Sequence, residues 1–410
     1  ENKADVVPAY IDAMYSGAEF SEEFEQVEKE LWEQMFGEFP CDMKSHRAVY
    51  FCGIIEKAKI YSWSDEVIEE LKEIAFNYEG GEEEKVKDSK ELNCEELISR
   101  SLNCVKGHAI RAMGHLLWDN KELFAEFKDV IDKLILDADE AVRMACFNAL
   151  WPIYNIDREW AEVRIIDVYE SDVRMAGFQD SKGMFFRLYS KYKERTLSII
   201  QKCFETDDKR LVKMGGYTIC EFYIRYNEFE TVMCSMEQLS EEQVKAILHM
   251  AVIYLKYDEY REISKAIILR YKNSDIDVEF PLGSMFYDNL VDVERDSDFL
   301  KTIMKSKVSK RMVYSFVHYL EENAYSVISY AEVIIALCEN VLCTPREELE
   351  RQWGIESDIS KLIIALYDET VNSDKVTEQK IAEKCLELWD VMFEKQIGQV
   401  RDLSRKLMER

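Results

Sequence analysis

One short pattern recurs along this chain and constrains its fold more than any other feature. In DADEAVRMACFNALWPIY (137–154) an acidic turn precedes Val142-Arg143, then Ala145-Cys146, then Ala149-Leu150. The same order returns in CVKGHAIRAMGHLLW (104–118), DVRMAGFQDSKGMFF (172–186) and LVKMGGYTICEFYI (211–224). The anchors Val105, Val142, Val173 and Val212 lie 37, 31 and 39 residues apart, and each is followed by a cation: Lys106, Arg143, Arg174 and Lys213. Periods of this length are those of stacked helix pairs.

The physics of the pattern is that of the second helix of such a pair. Asp139, Asp172 and Asp207 or Asp208 stand where a side-chain oxygen can accept first-turn amides that have no intrahelical partner. Val142, Ala145, Cys146, Ala149 and Leu150 fall at i, i+3, i+4, i+7 and i+8, a single buried stripe. Its small side chains allow close helix approach. Gly215-Gly216 inside a helix costs about 1 kcal/mol per residue relative to alanine, which points to a tight backbone crossing. The cation beside each valine leaves the stripe and can reach an acid of its own turn or the next.

Composition agrees. Gly 14 and Pro 5 in 410 residues are about half and a quarter of the usual ~7% and ~5%, too few for the turns of an all-β fold. At 410 residues the chain exceeds the ~250–300 at which one core stops growing. It therefore holds several domains or an extended array. The net charge of −28 repels phosphate backbones and counts against non-specific nucleic-acid binding. The basic run KTIMKSKVSKR (301–311) reads as a solvated helix end plus loop. The eleven cysteines are scattered, with Cys146, Cys203 and Cys220 at apolar helical positions. They read as buried hydrophobes in a reducing compartment. With no long uncharged apolar run and no signal-peptide pattern, a soluble cytoplasmic protein is expected. A start at Glu1, without methionine, fits a processed protein or a piece of a longer one.

On these four segments the chain resembles the HEAT family of helical repeats, best over 137–151 and 101–117 and less well at 172–186, where QDSKG interrupts the helix. The resemblance implies an all-α fold, an α-solenoid (superhelix) of helix pairs. FAEFKDVIDKLILD, REWAEVRIIDVYES and RTLSIIQKCFE supply first helices. The expected organisation is an N-terminal helical region at 1–79, a charged linker at 80–92, HEAT-like repeats at 93–235, and degenerate helical repeats with a C-terminal cap at 236–410. Within the last part, Ser240 opens SEEQVKAILHMAVIYLKY as a cap with Glu242 or Gln243 completing a capping box. DVEFPLGSMFYDNLVD (277–292), which contains Pro281, reads as a break.

No catalytic, cofactor or metal site is expected. Of the five histidines (46, 108, 115, 249 and 318), His108 and His115 share a helical face without an acid or cysteine at ligand spacing. His249 and His318 read as hydrogen-bonded core residues. HExxH, GxxxxGK[ST] and GxGxxG are absent. Trp63, Trp118, Trp353 and Trp389 fit core helices. WPIYNIDREW (151–160) places Trp151, Tyr154 and Trp160 around an inter-repeat turn, and FFRLYSKYKER (185–195) adds Arg187, Lys191 and Lys193. These six are the candidate partner-binding residues, because aromatic and basic side chains concentrate interface energy.

Three function classes follow. The first is a protein-binding scaffold whose acidic surface favours a basic or mixed partner. NALWPIYNIDREWAEVRIIDVYESDVRMAGF and CLELWDVMFEKQIGQVRDLSRKLME are similar to the C-terminal repeat regions of bacterial STAND-type NTPases. That resemblance implies the sensing of a foreign protein in anti-phage defence, with ATP binding and any oligomerisation supplied by a domain outside this chain. The second is a nucleic-acid-acting enzyme of the HEAT-like glycosylase type, which needs a basic aromatic groove such as 185–195. The third is a constitutive adaptor subunit. A protein partner is expected, nucleic acid and membrane are not.

Overall fold

A computed structural model describes residues 44–57, 63–78, 88–323, 326–345, 354–395 and 397. All regular structure among them is helical. They fall into two compact units, Glu1–Gly215 and Gly216–Arg410. FEQVEKELWEQMF, His46's side chain, Trp353 and most of the charged run before Asp88 lie outside the described residues.

The first unit contains α1 (Lys44–Lys57), α2 (Asp65–Asn77), α3 (Cys94–Asn103), α4 (Val105–Asp119), α5 (Phe124–Leu134), α6 (Glu140–Ala145), α7 (Phe147–Ile156), α8 (Arg158–Ser171), α9 (Ser181–Tyr189), α10 (Lys193–Phe204) and the start of α11 (Lys209–Tyr226). Helix α4 packs on α1, α2 and α7, and α7 packs in turn on α8. Val105, Val142 and Val212 are buried as the repeat requires, and Val173 is half-buried. At the third copy the helix is indeed interrupted: Val173–Gly177 is a 3-10 turn, and Asp180 (φ 64°) reverses the chain before α9.

An acid caps the turn in three of the four copies, and the cations Lys106, Arg143 and Arg174 bond to groups of the turns. The Asp139 carboxylate accepts from the Ala141 amide at 2.9 Å, that of Asp172 from Arg174 at 2.8 Å and that of Asp208 from Arg210 at 3.0 Å. Lys106 reaches Asp137 of the next turn at 2.9 Å, and Arg143 donates to the Asp137 carbonyl at 2.7 Å. A segment from the far side of the charged run then crosses these turns. Ser89 donates to Asp139, and Arg174 donates to the carbonyls of Ser89 and Leu92, each at 2.7 Å. The Cys94 amide donates to Asp208 at 2.9 Å. The tail of the expected linker is therefore docked; Ser89 is buried because its hydroxyl and carbonyl both find partners.

Close approach depends on small residues. A Cβ placed on Gly215 would lie 2.7 Å from the backbone nitrogen of Phe204 in α10, the crossing that the Gly-Gly pair implied. Gly114 of α4 faces α7 at the Asn148 carbonyl, where a Cβ would lie 2.2 Å from the oxygen. Pro152 is inside α7 and offers that carbonyl no i+4 amide. Gly183, by contrast, has open space around it on α9.

The second unit contains α12 (Glu230–Cys234), α13 (Glu241–Tyr254), α14 (Arg261–Arg270), α15 (Glu279–Tyr287), α16 (Val293–Met304), α17 (Val313–Glu322), α18 (Ala331–Leu342), α19 (Ile355–Thr370) and α20 (Val376–Glu394). Alternate helices pack on one another: α13, α15, α17 and α19 in one row, α14, α16, α18 and α20 in a second. The two rows also touch, α13 on α14 and α19 on α20. Ser240 and Gln243 form the capping box on α13. The expected break at 277–292 is instead helix α15. Pro281 lies in its first turn, where a missing amide breaks no helical bond. The basic run 301–311 buries Val308 and Ser309, and its cations Lys301, Lys307 and Arg311 are paired, the first with Glu332 at 2.9 Å, the second with Asp275 and the third with Asp277 at 3.6 Å.

Within the second row a buried ion cluster joins α14 to α16. Asp296 takes both Arg261, through Nε at 3.0 Å, and Lys265 at 2.9 Å, and all three are buried. Burial alone would raise the Asp296 carboxyl; hydrogen bonds from Arg261, the Asp292 amide and Lys265 outweigh it and hold the group below its ordinary 3.8. A depressed folded pKa gives stability that is present above the ordinary aspartate range and is lost as pH falls through the depressed value.

Two outcomes follow for thermal unfolding. Gly114→Ala is expected to destabilise by about 1–3 kcal/mol because the α7 backbone must shift, while Gly183→Ala is expected to stabilise by about 0.5–1 kcal/mol. Equal effects at the two glycines would contradict the α4–α7 contact. Asp296→Asn, which leaves Arg261 and Lys265 buried without a counter-charge, is expected to cost about 3–5 kcal/mol at neutral pH. It should also flatten the loss of stability below pH 4, read from melts between pH 2 and pH 7.

Candidate partner-binding surfaces

The turn between α7 and α8 is made by Asp157, whose carboxylate accepts from the Trp160 amide at 3.1 Å. That cap starts α8 so that Glu162, one turn in, points inward and is 2% exposed. Its two oxygens take Arg158 at 2.6 Å and Lys191, from the α9–α10 turn, at 3.2 Å. The hydrogen bonds to Glu162 raise the affinity of both cations for their protons. The Tyr154 ring is flanked by two guanidiniums, Arg158 and Arg187, each 5.3 Å from its centre. Of the six candidate residues, Tyr154, Arg187 and Lys191 are thus brought together, joined by Arg158 and Glu162, which spacing alone had not singled out. Lys193 stands beside them over Tyr189 at 5.8 Å.

The two tryptophans are placed differently. Trp160 is buried edge-on against Phe124 at 5.2 Å, with the Arg164 guanidinium 4.4 Å from its ring. Trp151 is half-buried against Phe147 at 5.0 Å. Both serve packing, Trp160 on Phe124 at the start of α5 and Trp151 on Phe147 of its own helix. His108 lies 3.0 Å from Arg111, which pairs with Glu56 at 2.8 Å. Burial first and the Arg111 charge second lower the pKa of His108. Among the described residues no group of three His, Cys, Asp or Glu side chains could hold a metal ion, and no helix is long and apolar enough to cross a membrane.

The second unit carries a surface that the linear pattern did not reveal. His249 of α13 stacks on Tyr217 at 5.0 Å and faces Phe280 of α15 at 6.3 Å. Further along, His318 of α17 lies 5.6 Å from Tyr287 of α15 and 6.2 Å from Tyr314 of its own helix. Phe280 is 80% exposed, Tyr314 62% and Tyr287 46%. His249 and His318 are therefore half-exposed members of an outer face, not core residues; Glu322 lies 3.4 Å from His318. Trp118 is likewise outside the core, at 59% exposed, while Trp63 and Trp389 are buried as expected. The signal available in sequence was the i, i+7 pair Phe280–Tyr287 and the i, i+4 pair Tyr314–His318. Only the packing of α13, α15 and α17 shows that they adjoin. A cleft of about 670 Å³ opens elsewhere in this unit, lined by Asp292, Glu294, Ser297, Tyr330, Glu332 and Ile381 among others.

Because Glu162 is buried and both its partners are largely exposed, either cation alone is enough to compensate it. Arg158→Ala or Lys191→Ala alone is expected to lower the denaturation midpoint little, and the pair together by clearly more than the sum of the two, the excess being the buried unpaired carboxylate. Additive losses in denaturant titrations would show that Glu162 does not bridge them.

Compared with protein-family models, with curated proteins and with solved structures, the chain matches none.

Proposed function

We propose that this chain is a protein-binding scaffold, an α-solenoid of helix pairs whose long outer faces recognise a partner. The observation that carries the reading is the arrangement of α13, α15, α17 and α19 in one row and α14, α16, α18 and α20 in the other. Such stacking buries one face of each row against the other and leaves a continuous side of side chains from successive helices, which is how helical repeats build extended binding walls. The capped turns at Asp139, Asp172 and Asp208 support the same reading for the first unit. In its finer form the scaffold is the sensing region of a STAND-type anti-phage protein. That form rests on the sequence resemblance and on nothing in the packing.

The nucleic-acid reading is the weaker one. The cations of 185–195 that would hold phosphates are turned to the chain's own groups. Lys191 bonds Glu162, and Arg195 bonds Glu170 at 2.6 Å and Asp167 at 2.7 Å. Arg187 lies over Tyr154.

Two measurements test the scaffold. In a gel-shift titration with duplex and single-stranded DNA from 50 to 300 mM salt, no salt-sensitive binding is expected. In nuclease-treated affinity capture from the source cells, with and without phage challenge, a stoichiometric protein partner is expected. A partner present only after challenge supports the sensor; the same partner in both states supports an adaptor. Salt-dependent DNA binding without any protein partner would defeat the scaffold reading.

A further inference from the structure

We propose that the face formed by α13, α15 and α17 docks an arginine-rich segment of a protein partner, its guanidiniums stacking on Phe280, Tyr287 and Tyr314. This deepens the scaffold reading and rests on it.

Two other exposed rings of the chain carry a cation: Lys133 lies over Phe76 at 4.6 Å and Arg225 over Tyr226 at 5.6 Å. The buried rings of Trp160 and Tyr154 likewise take guanidiniums, Arg164 at 4.4 Å and Arg158 and Arg187 at 5.3 Å. Among the described residues no cation stands over Phe280, Tyr287 or Tyr314, although these are among the more exposed rings. A planar guanidinium is the group that both stacks on such rings and carries the charge they attract.

Charge around the face selects the same partner. Asp277, Glu279, Asp288, Glu321 and Glu322 are exposed at the ends of α15 and α17. The neighbouring cations are committed: Lys245 to Glu241 at 2.6 Å, and Arg311 to the carbonyls of Ile276 and Asp275 and to Asp277 at 3.6 Å. The surface is therefore negative with bare rings, which repels phosphates and acidic peptides and attracts a basic one. Spacing adds a register. Phe280 and Tyr287, seven residues apart on one helix, are separated by about 10.5 Å along the axis, the span of about three residues of extended chain. An arginine at every third position would therefore meet both rings.

The test uses the full chain and a fluorescently labelled peptide with arginine at every third position and serine between, read by anisotropy at 150 mM salt. A matched peptide carrying citrulline in place of arginine keeps the plane and removes the charge. Wild type is expected to bind the arginine peptide at least ten-fold more tightly than F280A/Y287A/Y314A, and to lose binding to the citrulline peptide by a similar factor. All five carboxylates remain in that variant, so retained affinity would mean that the general negative charge suffices, and would overturn the proposal. If the triple variant does not fold, F280A and Y314A, the most exposed of the three, are each expected to lose about three-fold. Sedimentation of the two proteins covers the remaining occupant. A wild-type dimer converted to monomer by F280A/Y287A/Y314A would show that a second copy covers the face, which also overturns the proposal. Failure here leaves the scaffold reading standing, since capture of a partner depends on neither the peptide nor these rings; failure of capture leaves the peptide result intact.

Discussion

Three aspartates at the starts of helical turns tie the turns of the first unit together. Asp139, Asp172 and Asp208 each satisfy a first-turn amide of their own helix. Each carboxylate holds a further group: Arg100 and Ser89 on Asp139, the side chain of Arg174 on Asp172, the Cys94 amide on Asp208. One carboxylate thus caps a helix and positions its neighbour at once. A cap is worth about 1 kcal/mol; the shared arrangement also fixes where the valine stripe of each repeat meets the next.

The second unit reaches a similar layering by another route. Its buried Asp296 binds Arg261 and Lys265 between α14 and α16, and the Tyr319 hydroxyl donates to the Val291 carbonyl and accepts from that of Tyr330, each at 2.8 Å. Asn340 ties α18 to the end of α16 through the carbonyls of Met304 and Ser306, and to the 3-10 turn before α17 through the Ser309 hydroxyl. These are polar connections between turns, as in the first unit, but made by residues that form no recurring string. The Val-Arg pattern therefore fades after about residue 235 although the layering continues.

The two candidate surfaces differ in what they leave for a partner. Around Glu162 the aromatic and basic groups largely satisfy one another, with guanidiniums on Tyr154 and a carboxylate beneath. Across α13, α15 and α17 the rings are exposed, and the neighbouring cations Lys245 and Arg311 are already paired within the chain. A surface of the second kind has more to gain from a partner, because association there replaces water rather than existing contacts.

By itself the sequence determined the helical class, the caps at Asp139, Asp172 and one of Asp207 and Asp208, the capping box at Ser240, an interruption in the third repeat and the tight crossing at Gly215. Each is a local matter of amide satisfaction, periodicity or side-chain size, written within a few residues of where it acts. Tertiary structure alone decided that Pro281 lies in a first turn and not at a break, that Ser89–Leu92 docks on the repeat turns, and that Trp160 faces Phe124. It also decided that His249 and His318 join an exposed aromatic face. Those outcomes depend on which helix lies beside which, and residues thirty or more positions apart leave no mark on one another's spacing along the chain.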